Sequence, residues 1–259
     1  DRSRGLGDVY KRQIMSQFQS IFKRYEKKYI LTSRQKQKIL ETAKLYLAKD
    51  KYFHSTICSI YYDTPSRLMI RNSIEKPIYK EKLRLRSYGT PSADDKVFIE
   101  LKKKYRGVVY KRRTAMTLRE AEMFLSGKLL PKTQIEKELA WALKYYEGIE
   151  PAMFVSYERD SYCGIQDSTL RITFDSNPLI REERLSLADG IWGETILQDG
   201  LYIMEVKTPY AMPLWLADEL DRLKIFPSSF SKYGTGYINS LKKQNTSELE
   251  NVQKIKKLA

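Results

Sequence analysis

Histidine and cysteine are scarce in this chain of 259 residues, and their scarcity excludes several kinds of active site. His54 is the only histidine, so histidine-based catalytic triads and histidine-rich zinc sites are nearly excluded. The two cysteines, Cys58 and Cys163, form no C-x-x-C motif, which is typical of free thiols in a reducing compartment. We therefore expect a cytoplasmic protein in which Cys58, inside an apolar strand, is a buried thiol.

Long apolar runs and the common nucleotide-binding motifs are missing as well. No apolar run approaches the roughly 18 residues of a membrane-spanning helix, and no signal peptide is visible. After residue 14 there is neither the G-x-x-x-x-G-K-[ST] motif nor the G-x-G-x-x-G motif. These absences exclude P-loop and Rossmann proteins, whereas a membrane-protein partner outside this chain stays open.

Positive charge is what the composition has in excess. Lysine and arginine number 47 against 32 acidic residues, which gives a formal net charge of +15 and a pI of about 9.5. This balance favours a polyanionic partner such as nucleic acid, an anionic lipid surface or a phosphate-rich small molecule. Because the sequence offers no basic recognition helix, we expect no nucleic-acid partner.

The chain is predicted to hold one large domain with two unlike ends. Residues 1–14 are rich in glycine and arginine, lack periodicity and precede Met15, so we interpret them as a non-native tail. Residues 15–241 contain no linker long enough to separate two domains. Residues 242–259 are polar and charged, which is typical of either a solvated helix or a frayed tail.

Alternation of charged and apolar residues is the main structural signal. In a β-strand, Lys82, Arg84 and Arg86 would share one face, and the two leucines between them the other. An acid two positions before a lysine recurs in three further strands: Glu26 with Lys28, Glu100 with Lys102, and Glu205 with Lys207. A solvated surface does not need this spacing three times, although cross-strand ion pairs would explain part of it.

Three helices are predicted by capping boxes, in which a threonine is followed three residues later by Glu or Gln. The pairs are Thr32 with Gln35, Thr117 with Glu120, and Thr133 with Glu136. Trp141 and Trp215 lie on apolar stripes of helices and are predicted to be core residues.

The strands number about eight and are mostly joined by short turns or single helices, which favours an antiparallel sheet in an α+β protein. If such a sheet closes into a barrel, either face can point inward. Apolar faces inside would give an ordinary barrel with a charged surface. Charged faces inside would give a tunnel lined by cations, with the amphipathic helices covering the apolar outer faces.

A series of short motifs occurs in a fixed order along most of the chain. They are Arg24–Tyr29, Tyr62–Thr64, Lys82–Arg86, Glu100–Lys102, Tyr157–Arg159, Arg171–Asp175, Glu205–Lys207 and Ser231–Tyr233. This ordered set resembles the VTC domain, the polyphosphate-polymerase domain of the vacuolar transporter chaperone complex and its bacterial relatives, which belongs to the triphosphate tunnel metalloenzymes together with the CYTH enzymes. The resemblance implies an eight-stranded antiparallel β-barrel tunnel with flanking helices. It also implies transfer of the γ-phosphoryl group of ATP onto a growing inorganic polyphosphate chain.

The resemblance further implies the residues of the site. Glu205 would hold a divalent metal, Mn²⁺ or Mg²⁺, and Tyr157 and Ser231 would add hydroxyl contacts. The length of one hairpin leaves the strand register open. A shift of that register would make Arg112 or Arg113 the inward residue instead of Lys111. The phosphate-binding cations would be Lys28, Arg84, Arg86, Lys102, Lys111, Arg159, Arg171, Lys207 and Lys232.

Two other functions remain as alternatives. The first strand departs from the Glu-x-Glu-x-Lys pattern of the CYTH enzymes, because Arg24 occupies the first glutamate position. The loss of one carboxylate favours a polymerase over a triphosphate or polyphosphate hydrolase of the same fold. A non-enzymatic polyanion-binding protein ranks last. The expected partners are therefore a nucleoside triphosphate and inorganic polyphosphate.

Overall fold

The computed structural model describes the backbone of residues 21–22, 25–75, 77–106 and 108–258, and the side chains of these ranges from Tyr25 to Thr246. Arg24, the 1–14 segment and Gly107 lie outside the described residues. The domain boundaries stay predictions. The polar C-terminal segment is a helix in the structure rather than a frayed tail, and this helix runs to Leu258.

The fold is α+β, with ten strands and six helices in the part of the chain that the structure describes. The strands are β1 (Ile21–Phe22), β2 (Tyr25–Thr32), β3 (Leu47–Asp63), β4 (Tyr79–Tyr88), β5 (Lys96–Tyr105), β6 (Val108–Thr117), β7 (Glu150–Gly164), β8 (Arg171–Arg181), β9 (Glu194–Thr195) and β10 (Leu201–Thr208). The helices are α1 (Ser33–Ala43), α2 (Leu68–Ile74), α3 (Leu118–Leu125), α4 (Gln134–Tyr145), α5 (Leu214–Arg222) and α6 (Lys232–Leu258).

The strands form one antiparallel sheet in the order β1-β6-β5-β4-β3-β7-β8-β10-β2, with β9 beside β8. Eight strands have eight or more residues, whereas β1 and β9 have two each. The predicted antiparallel tunnel fold with flanking helices is therefore confirmed. It differs from a closed barrel in one respect, because among the described residues no hydrogen-bonded pairing joins β1 to β2.

The sheet nevertheless curls upon itself. Lys102 of β5 and Glu26 of β2 are six strands apart in the order, which at about 4.8 Å per strand would separate them by about 29 Å in a flat sheet. Their side chains instead form an ion pair, with Nζ 3.2 Å from Oε2. The outer edge of β2 is covered by another segment, where the N–H of Ser228 donates to the carbonyl of Lys28 at 2.7 Å. That segment therefore occupies the edge of β2 that would pair with another strand in a closed barrel.

The outer face of the sheet is apolar and lies under helices. Near β4 and β5, the helices α3 and α4 cover a cluster that includes Leu83, Leu85, Ile99, Leu101, Phe124 and Leu139. At the other end, α1 and α5 cover Leu31, Ile39, Ile172, Phe174, Val206 and Leu220. Burying each such side chain stabilises the fold by roughly 2 kcal/mol. The apolar stripes of these four helices therefore pack against the outer face. The concave face is polar except beside α2 and α6, where a third apolar cluster includes Ile70, Met153, Val155, Ile180 and Tyr233.

The helix starts follow the sequence closely. All three predicted capping boxes are present, at the N-termini of α1, α3 and α4.

The prediction that Trp141 is a core residue is wrong, since its side chain is exposed and stacks on Tyr145. Trp215 packs half-buried against the apolar cluster under α1. None of the described helices combines the length and the apolar character needed to cross a membrane.

A buried carboxylate fixes α6 to the sheet. Asp63, at the end of β3, accepts hydrogen bonds from the backbone N–H groups of Thr64 and Met69 at 2.9 Å and of Ile70 at 3.0 Å. It also accepts one from the hydroxyl of Tyr233 at 2.8 Å, in the first turn of α6. This group thus sets the position of the α6 start, which projects onto the concave face.

Asp63→Ala is expected to lower the free energy of unfolding by about 3 kcal/mol, because it leaves buried donors without an acceptor. Urea denaturation followed by circular dichroism measures the loss. Asp94→Ala is the matched control, since the Asp94 side chain is 84% exposed. Equal stability of the two variants would contradict the anchoring role of Asp63.

A cation-rich tunnel as the candidate functional site

The concave face collects the charged residues of seven strands. The registers bring them side by side: Arg84 of β4 lies between Tyr61 of β3 and Glu100 of β5, and Glu100 lies beside Arg113 of β6. The start of α6 adds one further cation to this face. The cations gathered here are Lys28, Lys82, Arg84, Arg86, Lys102, Lys111, Arg113, Arg159, Lys207 and Lys232, and the carboxylates are Glu26, Glu100, Asp175 and Glu205.

Glu100 holds the cations of β4 and β6 together. Its carboxylate lies 2.6 Å from an Nη of Arg84, 2.5 Å from Nζ of Lys111 and 3.4 Å from Nε of Arg113, with Arg86 at 3.7 Å. Burial acts to raise the pKa of Glu100, but Arg84, Arg86 and Lys111 outweigh it and hold the pKa far below its usual range. Glu100 is therefore a permanent anion that offsets part of the arginine charge.

The register left open by the sequence at β6 is decided by these contacts. Lys111 and Arg113 both reach Glu100 on the concave face. Arg112 lies on the outer face, where its Nε donates to Glu138 of α4 at 2.6 Å. The β6 hairpin thus supplies two inward cations where one was predicted.

Asp175 organises the cations next to α6. Arg159 of β7 makes two hydrogen bonds to its carboxylate, at 2.6 and 2.8 Å, and Lys232 of α6 makes a third at 2.5 Å. The Lys232 ammonium also lies 3.9 Å from the ring centre of Tyr157, a cation–π contact. Two predicted cations and the predicted hydroxyl residue Tyr157 therefore meet around a carboxylate that was not assigned.

Glu205 lies at the centre of a third group. Lys207 is 2.8 Å from its carboxylate, and Lys28 and Arg159 are each 3.8 Å away. Burial acts to raise the pKa of Glu205, but Lys207 outweighs it together with other neighbours, and the pKa lies well below its ordinary value. Glu205 is therefore ionised and able to bind a cation.

Glu26 and Glu205 together fit the expected divalent metal. Both carboxylates contact the ammonium of Lys28, whose Nζ lies 4.0 Å from Glu26 and 3.8 Å from Glu205, so the two acids already lie around one cation. In the described part of the chain no three His, Cys, Asp or Glu side chains come together as a metal site. Mg²⁺ and Mn²⁺ suit this donor set, because Mg²⁺ is commonly held by one or two carboxylates and completed by phosphate oxygens and water.

Lys82 is a tunnel residue that the motif comparison did not assign, although it begins the alternating 82–86 stretch. Its Nζ donates to Oγ of Ser231 at 3.1 Å, and Nζ of Lys28 donates to the carbonyl of Phe230 at 3.2 Å. Burial together with the neighbouring lysines lowers the pKa of Lys82 to about 8. The predicted residue Ser231 is thereby joined to the cation group through the start of α6.

Arg171 is the one predicted cation that the structure does not bring into the group. By register it lies beside Lys207 on the concave face, at the start of β8. Its side chain is half exposed and pairs instead with Asp50 at 3.3 Å.

The sequence analysis did not assign Glu26, Glu100 and Asp175 to the site, although they were visible in the sequence as acids on charged strand faces. Nothing in the sequence marked Tyr61.

Comparison with known proteins adds a fold and a family. The sequence profile of the VTC domain matches residues 23–241. A comparison with curated protein sequences finds no match. Among solved structures, a candidate adenylate cyclase from Bacillus halodurans superposes with a TM-score of 0.51 at 12% identity, covering 82% of this chain and 94% of that protein.

Two further structures are similar. One is a candidate adenylate cyclase from Vibrio parahaemolyticus, with a TM-score of 0.48, 14% identity, and coverage of 84% of this chain and 98% of the other. The second is a candidate adenylyl cyclase from Hippeastrum described by its dominant triphosphatase activity, with a TM-score of 0.48, 15% identity, and coverage of 80% and 92%.

The curled antiparallel sheet with an inward cation face is a tunnel fold, and the Bacillus halodurans structure shares this fold. Within that class, the chain belongs to the VTC domain family, whose profile covers most of its length.

Glu100→Gln is expected to lower the free energy of unfolding by about 3 kcal/mol near neutral pH, because it leaves buried cations without their anion. The folded-state pKa of Glu100 is depressed, so its stabilisation is present above the pKa of about 4.3 that glutamate has when unfolded. The difference from wild type should therefore shrink as the pH falls below that value.

Urea unfolding at neutral pH and at about pH 3.5 tests this expectation. Glu147→Gln, at an exposed position, is the matched control. A stability gap for Glu100→Gln that stays constant across this range would show that the charge of Glu100 is not what stabilises the tunnel.

Proposed function

We propose that the protein is a polyphosphate polymerase that transfers the γ-phosphoryl group of ATP onto a growing inorganic polyphosphate chain within the tunnel. The supporting observation is the surplus of positive charge on the concave face, where the group of ten cations named above shares four carboxylates. A linear polyphosphate carries about one negative charge per phosphate, so an extended anion of this kind matches an elongated cationic channel. Nucleoside triphosphate and polyphosphate are thus the proposed partners.

The chemistry asks the protein for positioning and charge neutralisation rather than for a nucleophile. An oxygen of the terminal polyphosphate group attacks the γ-phosphorus, a new P–O bond forms, the bond to the bridging β–γ oxygen breaks, and ADP leaves. Arg84 and Arg86 offer planar guanidinium donors that bind phosphate oxygens in pairs, whereas Lys28 and Lys207 act as compact charges. Their carboxylate partners hold these side chains in place before the substrate arrives.

Glu205, with Glu26 beside it, would hold the divalent metal. A bound Mg²⁺ or Mn²⁺ supplies further neutralisation of the charge on the phosphate oxygens. Lys207, Lys28 and Arg159 surround the same carboxylates and orient them. The cytoplasmic location and a membrane-protein partner stay predictions from the sequence.

Incubation of the purified protein with ATP and Mn²⁺ or Mg²⁺ is expected to yield long-chain polyphosphate and one ADP per phosphate added. Product length is measured by gel electrophoresis, and ADP by chromatography. Release of inorganic phosphate from ATP or tripolyphosphate without chain growth would replace the polymerase by a hydrolase of the same fold. Binding of polyphosphate without any turnover, across metals and primers, would leave only the polyanion-binding function.

Lys28→Ala is expected to reduce turnover at least about a hundredfold, because it removes a cation that faces Glu205 and the phosphates. Lys27→Ala is the matched control, since Lys27 is the neighbouring lysine of β2 and lies exposed on the opposite face. Steady-state rates of the two variants, with folding checked by circular dichroism, compare the two faces directly. Equal losses in both would reject the assignment of the concave face as the site.

A further inference from the structure

Tyr61 stands on the concave face beside the cations, although no motif assigns it a role. Its backbone pairs with Arg84 of β4 on one side and with Met153 of β7 on the other. Its hydroxyl accepts a hydrogen bond from Nη1 of Arg84 at 3.2 Å. Its ring stacks on Tyr233 of α6, with ring centres 4.7 Å apart and planes 19° apart. The ring is thus held between the sheet and α6 with its oxygen at the arginine.

The charges with the largest effect on the pKa of Tyr61 are positive, although Glu100 binds the far side of the Arg84 guanidinium. Arg84, Lys82 and Arg86 approach from β4, and Lys28 approaches from β2. No described carboxylate forms a hydrogen bond with its hydroxyl. Burial acts to raise the pKa of Tyr61, but the three β4 cations outweigh it and lower the pKa to about 7. An oxygen in this position therefore ionises more readily than that of an ordinary tyrosine.

The next residue along β3 provides a contrast within the same strand. Tyr62 points to the outer face, where it is buried in the apolar cluster beneath α3 and α4. Burial and the charge of Glu122 raise its pKa above the ordinary value for tyrosine. Two adjacent tyrosines of one strand thus experience opposite environments, so either can serve as the control for the other.

We propose that Tyr61 is a phosphate-binding residue of the tunnel whose phenolate competes with the substrate for the same cations, so that triphosphate binding is accompanied by uptake of a proton from solvent onto its oxygen. This inference rests on the proposed function only in requiring that the tunnel binds a triphosphate. No covalent bond to phosphorus forms. The neutral phenol left by proton uptake donates a hydrogen bond to a phosphate oxygen.

The direction of the effect follows from electrostatics. A phosphate anion next to Tyr61 disfavours the phenolate, so the pKa of the phenol returns towards about 10 in the complex. Above about pH 7, ligand binding requires protonation of the Tyr61 phenolate. This group alone should therefore lower the affinity for the ligand by up to tenfold per pH unit. Lys82 and Lys111, whose pKa values are both about 8, also lose charge in this range, so the comparison is made against a variant that retains both lysines.

The test uses the full chain with tripolyphosphate and EDTA at about pH 8. Titration calorimetry in buffers of different ionisation enthalpy counts the protons taken up, and near-ultraviolet absorbance follows the loss of tyrosinate. The wild type and Tyr62→Phe should each take up close to one proton per ligand more than Tyr61→Phe does, as the tyrosinate signal falls. Tyr61→Phe should bind without this absorbance change, and its affinity should fall less steeply with pH.

The outcomes separate this inference from the function on which it rests. Binding by the wild type with no loss of tyrosinate signal, or with an unchanged loss in Tyr61→Phe, overturns the role of Tyr61 and leaves the polymerase proposal intact. Absence of tripolyphosphate binding by the wild type, both in EDTA and with Mg²⁺ added, removes both. An unchanged tyrosinate signal in the wild type overturns the proposal even if a variant folds poorly. A loss of signal is assigned to Tyr61 through Tyr61→Phe, because the cations around Tyr157 also lower the pKa of that tyrosine.

Discussion

The structure depends on four carboxylates that are shared among ten cations in a confined space. Two like charges about 4 Å apart repel by about 4 kcal/mol at the effective dielectric of a protein surface. Each carboxylate offsets part of this repulsion, since Glu100 has four cationic neighbours and Asp175 has two. The sharing is incomplete, and the remaining positive charge is what an elongated phosphate ligand would neutralise.

The same strands build the site and the core. Along β4, the cations alternate with Leu83 and Leu85, which are fully buried beneath α3 and α4. A shift of one residue in register would exchange the two faces, so apolar burial on the outside also fixes the arginines on the inside. Because the core is rigid, the cations are positioned before any ligand binds, and binding does not have to order them.

Local signals were strong enough to predict much of this arrangement. Capping boxes act over three residues, and the one at Thr32 starts α1 as expected. Alternation likewise acts within one strand, so the inward faces of β4, β5 and β10 were recovered. Neighbours decide the rest. The prediction for Trp141 was wrong, because Trp141 stacks on Tyr145 instead of entering the core, whereas Arg171 has the predicted parity and pairs with Asp50 at the start of β8.

The linear order of residues was sufficient to establish which side chains share a strand face, where helices begin and that the chain carries a large positive charge, because these properties depend on neighbours along the chain. Only the folded sheet decided which β6 cations face inward, that Glu26 of β2 pairs with Lys102 of β5, and that Tyr61 stands among cations from two strands. Such contacts join residues far apart in sequence, and their energies depend on distances that exist only after the sheet has curled.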